Sequence, residues 1–243
     1  MKLVFVQNWL TIRCVSLGFN GVPNSKLVRL GTPYGGWYIP HAYLDPKINK
    51  TLLSLGVGFD VSFDKELSKA GFSVILVDPL PESITFAQKE LSEFSNCYFE
   101  NLAVSNFVGS ETFYPPRNSQ HDAWSSINIQ STSIEFAKSF EVVTLDTLLG
   151  KYESIISRDF LYLKMDIEGA ELKVIPQICS SQKVFGFVGI ELDFLSLIPF
   201  LELKKRISSV ILARKFLKDL DSAGYKLVCT DNFNFFWEGS ENA

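Results

Sequence analysis

The sequence predicts an α/β fold with a parallel sheet. Three short apolar runs, separated by segments with helical patterning, are the reason. Thr51–Leu55, Ser73–Val77 and Asn96–Glu100 read as strands buried on both faces; the first stops at Gly56 and the second at Asp78-Pro79. Between the first two, Phe59, Phe63, Leu67 and Ala70 recur at helical spacing until Gly71. Between the second and third, a helix is expected from Glu82 to Glu93. Strands joined through helices pair in parallel, with right-handed crossovers.

The rest of the chain fits round this unit. Residues 1–50 are rich in Gly, Pro, Asn and aromatics. They read as an irregular extension or lid, with one short strand among the turns of Gly31–Pro40, ahead of a domain spanning 51–243. Glu111–Tyr114 and Glu141–Thr144 alternate like strands. Between them Pro115–Ser133 is a polar loop of a length that usually carries function. Phe160–Met165 is a further core strand, followed by a helix from about Glu168 that Pro176 is expected to kink or end. Val184–Leu192 is another strand. Ile207, Val210, Ile211, Leu217 and Leu220 form the stripe of a long helix capped at Gly224. Tyr225–Cys229 and Phe233–Trp237 read as a hairpin about Thr230-Asp231-Asn232.

Composition narrows the function classes. A chain of 243 residues with 47% hydrophobic residues, among them 21 Phe, can bury a large core. The net charge of −4 and pI near 5.3, without a basic stripe, speak against a nucleic-acid partner. Lys204-Lys205-Arg206 is read as a solvated face. Cys14, Cys97, Cys179 and Cys229 form no CxxC pair, which argues against zinc and dithiol chemistry and fits reduced cysteines in the cytoplasm. The N-terminus begins like a signal peptide, but Gln7 and Asn8 interrupt its apolar run and no cleavage site follows. No run is long enough to span a bilayer. Nothing in the sequence sets the oligomeric state.

Three motifs carry chemistry. Ser54-Leu55-Gly56-Val57-Gly58-Phe59-Asp60 places a glycine turn after the first core strand, where backbone and a helix N-terminus can approach a ligand. Asp78 follows Gly56 by 22 residues; an acid at the end of the second strand can accept from ribose hydroxyls or cap the next helix. Together the pair points to a nucleoside-containing ligand, adenosylmethionine or NAD. The third is Leu163-Lys164-Met165-Asp166-Ile167-Glu168-Gly169-Ala170-Glu171. It sets Asp166 at the carboxyl end of a buried strand, where ligands of open α/β sheets bind, with Glu168 two residues on. The same acids can also cap the following helix.

This nine-residue segment closely resembles the signature of the FkbM-type methyltransferases. Asn101-Leu102-Ala103-Val104-Ser105 with Gly109, Val143-Thr144-Leu145-Asp146-Thr147-Leu148-Leu149, and Asn234-Phe235-Phe236-Trp237 resemble further family segments in the family's order, over roughly 51–238. The glycine turn departs from the family's commoner D-x-G-A-N-x-G form, and Gly35-Gly36-Trp37-Tyr38 resembles a divergent branch. The resemblance implies a Rossmann-like class I methyltransferase fold: a seven-stranded, mostly parallel sheet with an antiparallel last strand and helices on both faces. It implies S-adenosyl-L-methionine as donor and transfer to oxygen, with a sugar or glycan hydroxyl as acceptor.

On this reading Gly56 and Gly58 pass beneath the methionine moiety and Asp78 binds the ribose. Pro79 and Leu80 line the adenine slot, and Asn101 and Ala103 contact the base. Trp37 covers the site or belongs to the core. A hydroxyl needs a base during attack, and Asp166, Glu168 and His121 are the candidates. His121 also reads, and more readily, as a surface-loop histidine, with Asp122 and Trp124 beside it; His41 is read as structural or lid-related. Asp166 and Glu168 alone are a thin ligand set, so no metal is expected. The alternatives are an NAD-dependent oxidoreductase and a non-catalytic adenosylmethionine-binding module.

Overall fold

The structure is a computed structural model. It describes all residues except 1, 20, 22–25, 117–123, 128–133, 197–202 and 241–243. In chain order the elements are α1 (Lys2–Ser16), β1 (Leu27–Leu30), β2 (Trp37–Pro40), β3 (Thr51–Leu55), α2 (Ser62–Lys69), β4 (Ser73–Val77), α3 (Pro81–Glu90), β5 (Cys97–Glu100), β6 (Ala103–Val104), β7 (Gly109–Phe113), β8 (Lys138–Val143), α4 (Leu145–Lys151), β9 (Leu161–Met165), α5 (Glu171–Ser180), β10 (Phe187–Glu191), α6 (Asp193–Ser196), α7 (Leu203–Ser222), β11 (Tyr225–Asp231) and β12 (Asn234–Gly239).

Seven strands form one sheet in the order β11-β12-β10-β9-β3-β4-β5, and β12 runs antiparallel to both its neighbours. The remaining pairs β10–β9, β9–β3, β3–β4 and β4–β5 are parallel. The expected fold class is therefore what the chain adopts. The central strands are apolar throughout because each face is covered. Leu53, Leu55, Leu163 and Val188 pack with α4, α5 and α7 on one side. Leu52, Val74, Leu76, Tyr162 and Phe187 pack with α2 and Ala87 of α3 on the other. The chain leaves β3 toward β4 and β5, then returns on the opposite flank through β9 and β10. The carboxyl ends of β3 and β9 therefore border the crevice where strand order reverses.

Several boundaries differ from the sequence reading, each for a local reason. Residues 1–50 are not irregular throughout: α1 is helical, and β1 and β2 form an antiparallel ribbon. The low polarity of α1 hid its periodicity. The helix expected to run to Glu93 ends at Glu90. Pro176 lies inside α5 without ending it, since one proline removes a single hydrogen bond that flanking turns tolerate. The helix expected from Glu168 begins at Glu171, because Glu168 and Gly169 take left-handed backbone (φ 53° and 99°). β7 and β8 pair with each other, and β8 with β6, in a separate three-stranded sheet beside the crevice.

Candidate active site

The site starts from three backbone bonds that carry the strand ladder one residue past each strand end. Gly56 N–H donates to Val77 O (2.9 Å), Asp166 N–H to Leu55 O (2.9 Å), and Asp78 N–H to Glu100 O (3.1 Å). Three loops are thereby held level at the carboxyl edge of the sheet. A cavity of about 600 Å³ opens there, within the usual range for small-molecule sites.

One end of the cavity is built on the glycine turn. Gly56 has φ 79° and Gly58 φ 57°, backbone that favours glycine. Asp78, which is buried, accepts from Val57 N–H (2.9 Å) and Gly58 N–H (3.1 Å) through one carboxylate oxygen and from Leu80 N–H (2.8 Å) through the other. Its visible work is to shape this loop, a task the sequence reading did not assign to it. Pro79, Leu80 and Ala103 line the cavity, as do Leu102 and Val104. Asn101 does not. Its amide donates to Asp78 O (3.1 Å) and Pro79 O (3.0 Å), bracing the loop that carries the slot.

The other end is acidic. Asp166 and Glu168 line it, and so do Glu191 and Asp193 from the end of β10. Single carboxylate oxygens of Asp166, Glu191 and Asp193 lie within 4.8 Å of one another. Burial and the charges of Asp166 and Glu168 push the Glu191 carboxyl up to about 8, and its side chain also bonds to Asn234. Burial and the neighbouring carboxylates raise Asp193 well above its usual value too. Beneath them Glu171 is fully buried; its Oε1 accepts from Gly169 N–H (3.0 Å) and Ile167 N–H (3.3 Å), holding the left-handed turn, and burial pushes it to about 8. Lys164, 4% exposed, supplies the opposing charge. Its Nζ donates to Gly56 O (2.8 Å) and sits 5.1 Å from the centre of the Trp37 ring. This cluster of oxygens could hold a divalent cation, a donor set hard ions favour.

Trp37 is 3% exposed, packs edge-on against Phe236 (5.7 Å), and also lines the cavity. The loop ahead of it is latched to the start of α2. Thr32 Oγ1 donates to Asp60 (2.5 Å), Thr32 N–H to Ser62 Oγ (2.8 Å), and Ser62 N–H to Asp60 (2.9 Å). Burial pushes Asp60 up, but its bonds from Ser62, Thr32 and Gly35 outweigh that and hold it below its ordinary value. The first fifty residues thus wall the site through Pro33, Tyr34 and Gly36.

His121 and Asp122 lie outside the described residues. Trp124, from the same polar loop, lines the cavity, with Phe140 edge-on at 6.0 Å and Lys138 Nζ 5.0 Å from its ring centre. Ser125 Oγ donates to Glu168 O, fastening this loop to the signature turn. His41 lies away from the cavity, its backbone N–H bonded to Lys26 O (2.7 Å).

Sequence reasoning missed Lys164, Glu191, Asp193, Asp231 and Asn234. Lys164 was inside the signature but read as strand filler. Glu191 and Asp193 had a usable signal, acids at the carboxyl end of a predicted strand. Asp231 and Asn234 reach the cavity only because the terminal hairpin folds back beside β10.

A glycine turn, a small-molecule cavity at the switch point and a facing set of carboxylates together make up the candidate site of this α/β fold. The Methyltransferase FkbM domain matches residues 54–227, and the chain belongs to that family; it is a methyltransferase. Among solved structures, a Methanococcus jannaschii fibrillarin pre-rRNA processing protein aligns over 92% of this chain and 87% of its own, at 13% identity and a TM-score of 0.39. No curated protein matches the chain.

Proposed function

We propose that the chain transfers a methyl group from S-adenosyl-L-methionine to an oxygen of a sugar or glycan hydroxyl. The observation that carries this is a single cavity with a glycine-turn end and a carboxylate end, joined by Lys164. Family membership favours the methyl donor over the nicotinamide alternative.

Bound at the glycine turn, the donor supplies a methyl group already activated on sulfonium. The chain's own part is to position and to take a proton. Gly56 and Gly58 offer backbone that a methionine moiety can approach. Asp78 keeps that backbone in place while its remaining lone pairs face the ribose, and Pro79, Leu80 and Ala103 sandwich the base. At the far end, Asp166 receives the hydroxyl proton, and Glu191 beside it holds the acceptor in place. Burial raises the Glu191 carboxyl to about 8, so near neutral pH it can donate a hydrogen bond to the acceptor oxygen or to Asp166. Trp124 and Tyr34 offer ring faces to a sugar, and Asp231, Asn232 and Asn234 offer hydrogen bonds to its hydroxyls. A second reading rests on the 4.8 Å grouping of Asp166, Glu191 and Asp193: a divalent cation there would acidify the hydroxyl directly.

Labelled methyl transfer over sugar and glycan acceptors tests the proposal. Transfer to a sugar hydroxyl, abolished in Asp166→Asn, is expected. Tight NAD binding without binding of adenosylmethionine or its demethylated product would overturn it.

A further inference from the structure

The described side chains of helix α1 divide into a covered and an exposed face. Its charges are Lys2 and Arg13, both basic. One face is covered: Val15 is fully buried and Ile12 packs on the main core. The other is not. Trp9 and Leu10 are each 51% exposed, Leu17 just beyond the helix is 73% exposed, and Arg13 lies over the Trp9 ring at 5.4 Å. At helical spacing residues 9, 10, 13 and 17 fall within an arc of about 100°.

The neighbouring helix repeats the pattern. Residues 203–218 of α7 hold six basic residues and no acid, in a chain whose net charge is −4. Ile207 and Ile211 are exposed on α7, and Lys204, Lys215 and Lys218 share their face, Lys215 bonding to Asp219 (2.6 Å). The helices are tied together, since Arg214 donates to the carbonyls of Cys14 (2.7 Å), Val15 (3.2 Å) and Leu17 (3.1 Å). β11 is parallel to β10, so α7 runs back across the sheet. It starts at the edge on which the cavity opens.

We propose that the outer faces of α1 and α7 dock on an anionic lipid surface. Exposed Trp, Leu and Ile flanked by Lys and Arg suit the boundary between acyl chains and headgroups. Among the described residues no helix is long and apolar enough to cross a membrane, and the 15 residues of α1 reach about 22 Å against roughly 30 Å of hydrocarbon. The helices therefore lie on the bilayer. The charge selects this occupant over a second copy, because a symmetric dimer through this face would set basic residues against basic residues. Of Lys204-Lys205-Arg206, Lys204 then belongs to a docking surface and not merely to a solvated one.

The test is co-sedimentation of the full chain with phosphatidylcholine vesicles, with and without phosphatidylserine. Binding to the anionic vesicles at least about tenfold stronger than to neutral ones, and weakened by salt, is expected. Lys204→Ser with Lys218→Ser, both exposed and without consequence for folding, should lower anionic binding by about tenfold. Trp9→Ser and Ile211→Ser should lower binding to both vesicles. No sedimentation with anionic vesicles at low salt overturns the proposal, as does binding that none of these variants changes. A dimer that Ile211→Ser dissociates, with no vesicle binding, also overturns it and assigns the face to a second copy.

Discussion

Gly56 and Asp166 pass so close that a methyl group on Gly56 would stand 1.6 Å from the Asp166 carbonyl oxygen. The two loops that meet there belong to the two halves of the sheet, and their contact forms the floor of the cavity. The oxygen belongs to backbone, so no side-chain rotation relieves the clash. Gly56→Ala should therefore lose more than about 3 kcal/mol of stability in a denaturant titration. Gly150, with open space about it at the end of α4, is the control: Gly150→Ala should be neutral or gain up to about 1 kcal/mol.

Asp78 binds three backbone N–H groups while buried. Asp78→Ala leaves those donors without their acceptor and releases the glycine turn. Calorimetric affinity for the demethylated donor should fall at least about thirtyfold, with a stability loss of roughly 3 kcal/mol. Unchanged affinity would remove Asp78 from the donor site.

Asp166 is proposed to accept the proton, with Glu191 positioning the acceptor beside it. Asp166→Asn and Glu191→Gln should each lower kcat about 10²- to 10⁴-fold while calorimetric donor affinity stays within about threefold. A parallel loss of donor binding would instead make them architectural.

The buried acids make stability fall as pH rises. Glu171 and Glu191 sit at about 8, above the ordinary value of 4.5, mainly through burial. Folding favours their neutral forms, so the folded state holds more protons than the unfolded one between these values. Stability contributed by the neutral acids is complete below 4.5 and is lost as pH climbs to about 8. Denaturant midpoints measured in chelator should fall steadily across that window, and less steeply in Glu171→Gln, where one of the two acids is gone.

The grouped oxygens of Asp166, Glu191 and Asp193 give the divalent-ion reading its own measurement. If the cluster binds magnesium or manganese, millimolar ion should raise the melting temperature of the wild type near pH 8 and leave Asp193→Asn unmoved. Equal melting curves with ion and with chelator would leave proton transfer to the carboxylates alone.

Much of this was legible in the sequence because it rests on local rules. Doubly buried strands show as apolar runs, so β3, β4, β9 and β10 were visible. Asp166 and Gly56 followed from their places at strand ends. What only the tertiary structure decided depends on contacts distant in sequence. Asn101 braces the loop after β4 because Asp78 O and Pro79 O lie within reach of its amide. Asp78 acquired two of its three N–H partners, Val57 and Gly58, when two loops met. Glu191, Asp193 and Lys164 became one electrostatic unit with Asp166 because β9 and β10 pair side by side. The pattern along a chain records which residues are buried and where strands stop; which side chains then face one another is set by strand order and register.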